Sequence, residues 1–505
     1  MRQFRAYRLM LWLLIGLFVM VIRTNSASVE FESLDLVTER PAAFAQEKTP
    51  PASTAAGLLN QIDQLKATVE TIRGLKFKSD IKRGLQSAQE FRTFLMKDIE
   101  REYTEKKLYA WKKWLVKFGF MEDQVDIKKL MYDLLQEQVI GYYDPERKKL
   151  YLIDRDLSDA LGGAAQSKEE AAAMELLKSR GFELTAMLVA HELDHALTDQ
   201  HFDLTKLRRQ REANEDRSKA VTALIEGEST LAMIEYIFKG LGVDASVFPQ
   251  FGDLMEGLSA AALPSLPKLD QAPAYFRENL MFSYMQGAKL AWALRKAGGW
   301  DLLNQAMRNP PESTEQILHP EKYWPTREQP IMVTVANAQT VLGHDWVLLE
   351  ENSLGEFNLS ILGRKYLPVA RARTFAVGWG GDSFQIFEHK KTKETALVWY
   401  TTWDSVEDAK KFFSGYYEIL TKKYTGAVSA PERILSGDTA ALNPKAFDER
   451  LSLKIPNRNR QVVLERIGPD VVVVEGFAAS LIDPLVRRVW QSRKQALATP
   501  LSSAK

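Results

Sequence analysis

The stretch Ala190-His191-Glu192-Leu193-Asp194-His195 decides how this chain is read. On a helix, residues four apart lie one above the other, so His191 and His195 can offer nitrogens to one tetrahedral cation. Glu192 sits beside them. From there its carboxylate can take a proton from water on the metal, whose pKa zinc lowers to about 7. Phe182 to Ala190 are mostly apolar, so this helix should be buried. An accidental match would leave two core histidines satisfied by local hydrogen bonds. Against that, the chain holds only 6 histidines, and His191, His195 and His201 all fall in this window.

A zinc site needs a third protein ligand. His201 stands where the pattern H-E-x-x-H-x-x-G-x-x-H puts its last histidine, but Thr198 replaces the glycine. A β-branched residue resists positive φ, so a sharp break there would be strained. Glu226 lies in Ala223-Leu-Ile-Glu-Gly-Glu-Ser-Thr-Leu-Ala-Met233, an apolar-periodic segment after the charged stretch Arg208 to Arg217. Glu228, two residues on, would face elsewhere on a regular helix.

With these residues the chain resembles the gluzincin class of zinc metalloproteases, which join H-E-x-x-H to a glutamate from a downstream helix. The resemblance covers roughly Tyr142 to Tyr236. It implies Zn2+ held by His191, His195 and Glu226, with Glu192 as general base. Thr230 stands where that class often has an acidic residue one turn after the ligand glutamate, so Glu228 and His201 stay open as third ligands. Asp199, one turn beyond His195, is expected to accept a hydrogen bond from its second ring nitrogen and fix the metal-binding tautomer. His201 and Asp203 otherwise read as the helix end. Zincins also need a donor for the developing oxyanion, and Tyr284 and His319 are the two candidates.

Composition narrows the alternatives. Cysteine is absent, so neither disulfides nor thiolate ligands can contribute, and a metal must use histidine and carboxylate. A net charge of +1 with no basic block along a helix face gives no footprint for nucleic acid. At 505 residues, one core seldom suffices, so two folded domains and an N-terminal appendage are expected. Arg-rich residues 1–8 precede an apolar run from Leu9 to Ile22, too short for a confident span and suited to an export signal. Residues 1–27 therefore read as signal peptide or signal anchor. That places the protein outside the cytoplasm, periplasmic or extracellular, with residues 9–22 able to hold it at the inner membrane.

Residues 28–56, rich in Pro, Ala, Thr and Ser towards their end, read as a linker. The fold expected beyond is α+β, with a mainly helical zincin-like domain carrying a small sheet over 57–325 and a smaller α+β domain over 326–505. Helices are expected over Leu58 to Ile72, Ala88 to Leu115 and Ile127 to Gln138, with a strand from Leu75 to Ile81. Val139 to Ile153 reads as a hairpin around Asp144-Pro145. By the resemblance, its edge strand pairs with an extended substrate. Lys168 to Ser179 is expected to be helical, with a break at Gly181, and Ser246 to Pro273 a packing loop or cover. A helix over Ala274 to Ala297 carries Tyr284 and Gly287 and breaks at Gly298-Gly299. Ser313-Thr-Glu-Gln316 is a capping box leading to His319-Pro320.

Beyond Thr326, strands are expected at Ile331 to Val335, Trp346 to Leu349, Ala370 to Val377, Phe384 to Phe387, Ala396 to Trp403, Val462 to Ile467 and Val471 to Glu475. Ser405 should cap a helix running to Leu420. Gly378 to Asp382 reads as a flexible turn, and Leu481 to Ala496 as a terminal helix. The function expected is hydrolysis of a peptide or protein substrate. The alternatives are a zinc-binding but non-catalytic envelope scaffold, and a hydrolase of a non-peptide amide. The oligomeric state is open.

Overall fold

A computed structural model describes residues 55–136, 141–154, 184–240, 267–424, 432–435, 447–455 and 459–497. The expected export segment and most of the expected linker, the helix expected at 168–179, the break expected at Gly181 and most of the 246–273 stretch expected as a packing loop or cover lie outside these residues. The fold is α+β. Among the described residues no helix is long and apolar enough to cross a membrane.

The helical part begins with α1 (Ala55–Arg73), followed by β1 (Lys82–Ser87), α2 (Ala88–Glu102), α3 (Glu105–Phe118) and α4 (Ile127–Gln136). No strand forms at Leu75 to Ile81. There the Phe77 N–H goes to Glu70, and those of Lys78 and Ser79 go to Gln200, so they are lost to any ladder. The helix expected over Ala88 to Leu115 is two, because Thr104 caps a new start by accepting from Lys107 N. Ser87 and Glu90 close a capping box at the head of α2.

The expected hairpin is present as β2 (Gly141–Asp144) and β3 (Lys149–Asp154). Asp144 closes its turn by accepting from Glu146 N and Arg147 N. β3 pairs antiparallel with β2 and parallel with β1, which leaves β2 at the edge.

The long helices follow as α5 (Leu184–Phe202), α6 (Leu204–Arg209), α7 (Glu215–Gly240), α8 (Pro267–Gln271), α9 (Ala274–Arg308) and α10 (Thr314–Leu318). Between α5 and α6 the chain turns at Asp203, whose φ is 54°. α9 breaks at Gly298-Gly299, as expected, with Gly299 at φ 70°. α7 and α9 cross where Gly227 meets Gly287. A Cβ on Gly227 would stand 2.0 Å from the Gly287 carbonyl carbon, so only glycine allows this approach.

The rest of the chain comprises β4 (Ile331–Thr334), α11 (Gln339–Leu342), β5 (Trp346–Asn352), α12 (Gly355–Tyr366), α13 (Val369–Ala372), β6 (Trp379–His389), β7 (Thr395–Trp403), α14 (Val406–Lys423), β8 (Glu432–Leu435), β9 (Glu449–Ile455), β10 (Arg460–Ile467), β11 (Asp470–Phe477), α15 (Ala479–Val489) and β12 (Arg493–Ala496). Seven strands form one antiparallel sheet in the order β5-β6-β7-β11-β10-β9-β8. β12 pairs with β4.

Strand alternation sorts the sheet's two faces. Leu397 and Trp399 join the core shared with the helical part, while Val398 and Tyr400 pack under α15. Phe118 of α3 meets Phe384 and Trp399 edge-on at 5.1 and 5.2 Å. One apolar core therefore runs without interruption across residue 325, while the opposite face of the sheet packs under α15 in a second core drawn from residues 333–489 alone.

Three expectations fail here. Ala370 to Val377 is no strand, since α13 starts behind Pro368, whose ring presets φ for a turn. Trp379 to Asp382 is the buried start of β6, not a flexible turn. Gly381 is needed because a Cβ there would stand 2.1 Å from Ile331 O. Asp382 gathers donors from Ser353 Oγ, the Leu354 and Gly355 amides and the Trp379 and Trp399 indoles. Last, the terminal helix stops at Val489, and Arg493–Ala496 becomes β12.

Candidate metal centre

α5 carries His191 and His195 one turn apart, and their rings meet edge-on with centroids 4.5 Å apart. α7 brings Glu226 across to them. Glu226 Oε2 lies 3.6 Å from His191 Nε2 and 3.3 Å from His195 Nε2. The three residues are buried and offer ligand atoms that all lie within 4.8 Å of one another. Two imidazoles and one carboxylate are the donor set zinc takes in hydrolytic sites, and no thiolate or ammonium competes within the cluster. The residues present fit a borderline divalent ion.

The three groups also act on one another electrostatically. Burial works to raise the Glu226 carboxyl, but the two imidazoles, His195 above all, hold it well below the usual carboxylate range. Burial pulls the His195 imidazole down, and Glu226 more than restores it. The other Glu226 oxygen, Oε1, lies 3.5 Å from the buried Arg208 guanidinium of α6.

Glu192 takes its place from the small sheet. Its Oε2 accepts the Tyr143 backbone N–H from edge strand β2, and its Oε1 lies 3.8 Å from His191 Nε2. Thus the edge of β2 runs beside the helix that bears the cluster.

The support behind His195 differs from expectation. Asp199 is occupied elsewhere: the Tyr143 hydroxyl and Lys148 Nζ each reach its Oδ2 at 2.7 Å, and Leu204 N donates to its Oδ1. His195 Nδ1 instead stands 3.0 Å from Ser229 Oγ, which donates to Asp194 Oδ2 at 2.8 Å. With that hydroxyl proton spent on Asp194, His195 Nδ1 must be the donor to Ser229, leaving Nε2 to face Glu226.

Asp194 in turn pairs with Arg73 of α1, which also pairs with Glu228 and lies over the Trp300 ring at 4.3 Å. Burial, with Asp194 adding its charge, pushes Glu228 up to about 8 although Arg73 opposes it. Glu228 is held in that network, with Thr198 Oγ1 on its Oε2, and is not in the metal cluster. His201 is no ligand either, because its Nε2 is taken by Lys76 O at 2.8 Å where α5 ends.

Of the two oxyanion candidates, Tyr284 on α9 is brought near, buried with its ring centroid 6.3 Å from that of His191. His319 is not. Its Nε2 stands 3.0 Å from Glu356 Oε1 and its Nδ1 3.6 Å from Glu321. A second carboxylate group, Glu315, Glu328 and Asp404, already surrounds Lys322 Nζ at 2.6, 3.1 and 2.6 Å.

Reading along the sequence missed Ser229, Arg73, Arg208 and Tyr143. Ser229 was within reach, since it lies three residues after Glu226 and so shares a helix face with it. Arg73 carried no local signal, standing 121 residues before Asp194.

A sequence-family profile described as a domain of unknown function, DUF8575, matches residues 336–483, which span α11 to the start of α15 and exclude the cluster. None of the curated proteins compared matches the chain. Among solved structures, the chain is similar to a protein from Chloroflexus aurantiacus described as a candidate hydrolase with a novel fold. The two share 15% identity over 62% of this chain and 96% of that one, with a TM-score of 0.31. At that score the likeness carries no argument about this chain.

Proposed function

We propose that this chain is a zinc-dependent peptidase whose ligands are His191, His195 and Glu226. The observation that carries the reading is the convergence of these three buried groups within 4.8 Å, with Glu192 beside the first histidine. A bound zinc ion supplies Lewis acidity, which polarises a carbonyl and lowers the pKa of water towards neutrality.

The chain's own residues do the rest. Ser229 and Asp194 hold the His195 ring so that Nε2 is a lone-pair donor. Glu192, anchored at one oxygen by the Tyr143 N–H, keeps its other oxygen on the His191 side. There it takes a proton from the attacking water and returns it to the leaving amine. Among the described residues β2 leaves one edge unpaired by strands, beside α5, so an extended peptide can lie along it. Tyr284 supplies the phenol that faces the developing oxyanion. Export supports a substrate outside the cytoplasm, as the Arg-rich start and the Leu9 to Ile22 run suggest.

The experiment is peptide hydrolysis by the parent chain and by Glu192→Gln. A general base of this kind contributes about 100- to 10,000-fold, so Glu192→Gln should lose that much while keeping its metal. Hydrolysis at an undiminished rate would sink the assignment.

A further inference from the structure

A cavity of about 360 Å³ lies against α7 on the Arg208 side of Glu226, between α2, α3, α6 and α9. That size falls among ligand-binding pockets. Arg208 and Thr222 form part of its wall, and Thr222 is one turn before Glu226 on α7, so the cavity begins about 5 Å along the helix from the cluster. That is roughly the reach of one extended residue, about 3.5 Å of backbone, plus its side chain.

The wall has two chemical components. One is aromatic: Trp111, Trp114, Tyr275 and Phe276, with Trp111 edge-on to Phe276 at 5.7 Å and Trp114 edge-on to Tyr275 at 5.7 Å. The other is acidic. Glu215 and Glu350 face the same space. Burial pushes the Glu350 carboxyl up, the Asn352 amide opposes this, and the charge of Glu215 adds to the rise.

Of the cations in the wall, Arg208 faces Glu226, while Lys219 donates to Asn279 and Asn358, lies 5.4 Å from the Tyr275 ring centroid and stands 3.6 Å from Glu215 Oε1. Lys107 is exposed, and its charge works to lower the Glu350 carboxyl. With Glu102 and Glu212 the wall holds four carboxylates against these three cations, one of which faces Glu226, so aromatic faces and an acidic excess make a site that gains from an added organic cation.

We propose that this cavity is the subsite for a lysine or arginine side chain of the substrate, its stem between the aromatic rings and its cationic head at Glu215 and Glu350. The proposal rests on the peptidase reading above.

Two measurements separate the subsite from that reading. n-Butylguanidine contains no amide, so its binding to the full-length chain, followed by calorimetry, is read independently of hydrolysis. It should bind, valerate should not, and Glu350→Gln and Trp111→Leu should each raise the butylguanidine Kd about tenfold with melting temperatures near the parent's. Absence of binding, or valerate binding equally well, overturns the subsite. The second measurement maps cuts in a peptide mixture, where lysine or arginine should be enriched next to the cut, less so in Glu350→Gln. Cuts without that enrichment overturn the subsite and leave the peptidase intact. Butylguanidine binding with no peptide cut overturns the peptidase reading, and with it the cavity's role in substrate choice.

Discussion

Ser229 Oγ stands 3.0 Å from His195 Nδ1, placing a hydroxyl between the His195 imidazole and Asp194. The serine and Glu226 come from one helix, so α7 delivers a carboxylate to the cluster and the tautomer-fixing group to the far side of the ring. Removing the hydroxyl in Ser229→Ala should weaken zinc binding about 10- to 100-fold, read by competition with a chromogenic chelator. Ser229→Thr should restore most of it. Unchanged affinity in the alanine variant would deny Ser229 this role.

Arg73 is expected to be a keystone of stability. Its guanidinium is fully buried between Asp194 and Glu228. Burial works against its charge, and the two carboxylates outweigh burial. Arg73→Met strands the buried Asp194 carboxylate beside Glu228 and should cost about 3–5 kcal/mol, as measured by urea denaturation. Adding Asp194→Asn should recover part of the loss, because the buried carboxylate left without its guanidinium is then gone.

The crossing of α7 and α9 at Gly227 and Gly287 sets where Glu226 and Tyr284 stand. A Cβ on Gly287 would lie 2.0 Å from Ala223 O, so Gly287→Ala must push the helices apart. A destabilisation of about 1–3 kcal/mol is expected, together with weaker zinc binding, because Glu226 moves with its helix. Parent-like melting would show that the crossing is looser than described.

A pH dependence follows from Glu475 on β11. Burial works to raise its carboxyl, but Lys117 and Lys423 hold it down at about 2. Its folded-state pKa thus lies below the unfolded value near 4.5. The ion pair therefore stabilises above about pH 4.5, and that stability fades as pH falls through 4.5 towards 2, by about 3 kcal/mol in all. In Glu475→Gln this part of the acid-induced decline, measured by denaturation at pH 2 to 6, should be absent.

Much of the helical architecture was legible, because its signals are local. The four-residue spacing of His191 and His195, the Gly298-Gly299 break and the Asp144-Pro145 hairpin can each be read within a few residues. Glu226 was legible as one carboxylate on an apolar helix, though choosing it over Glu228 needed the packing that gives Glu228 to Arg73. Asp199 was misassigned because its partners, Tyr143 and Lys148, come from the hairpin more than 50 residues away. Gly378 to Asp382 looked flexible from composition, whereas the glycine serves the close passage of Ile331 O. Such contacts between distant segments leave no trace in local periodicity.

The most direct test is the zinc content of the purified full-length chain, determined by elemental analysis beside Glu226→Ala, Glu228→Gln and His201→Ala. The account predicts about one zinc per chain in the parent and in the Glu228 and His201 variants, and its loss with Glu226→Ala. A parent chain without zinc after metal-replete purification, or zinc retained in Glu226→Ala but lost in His201→Ala, would contradict it.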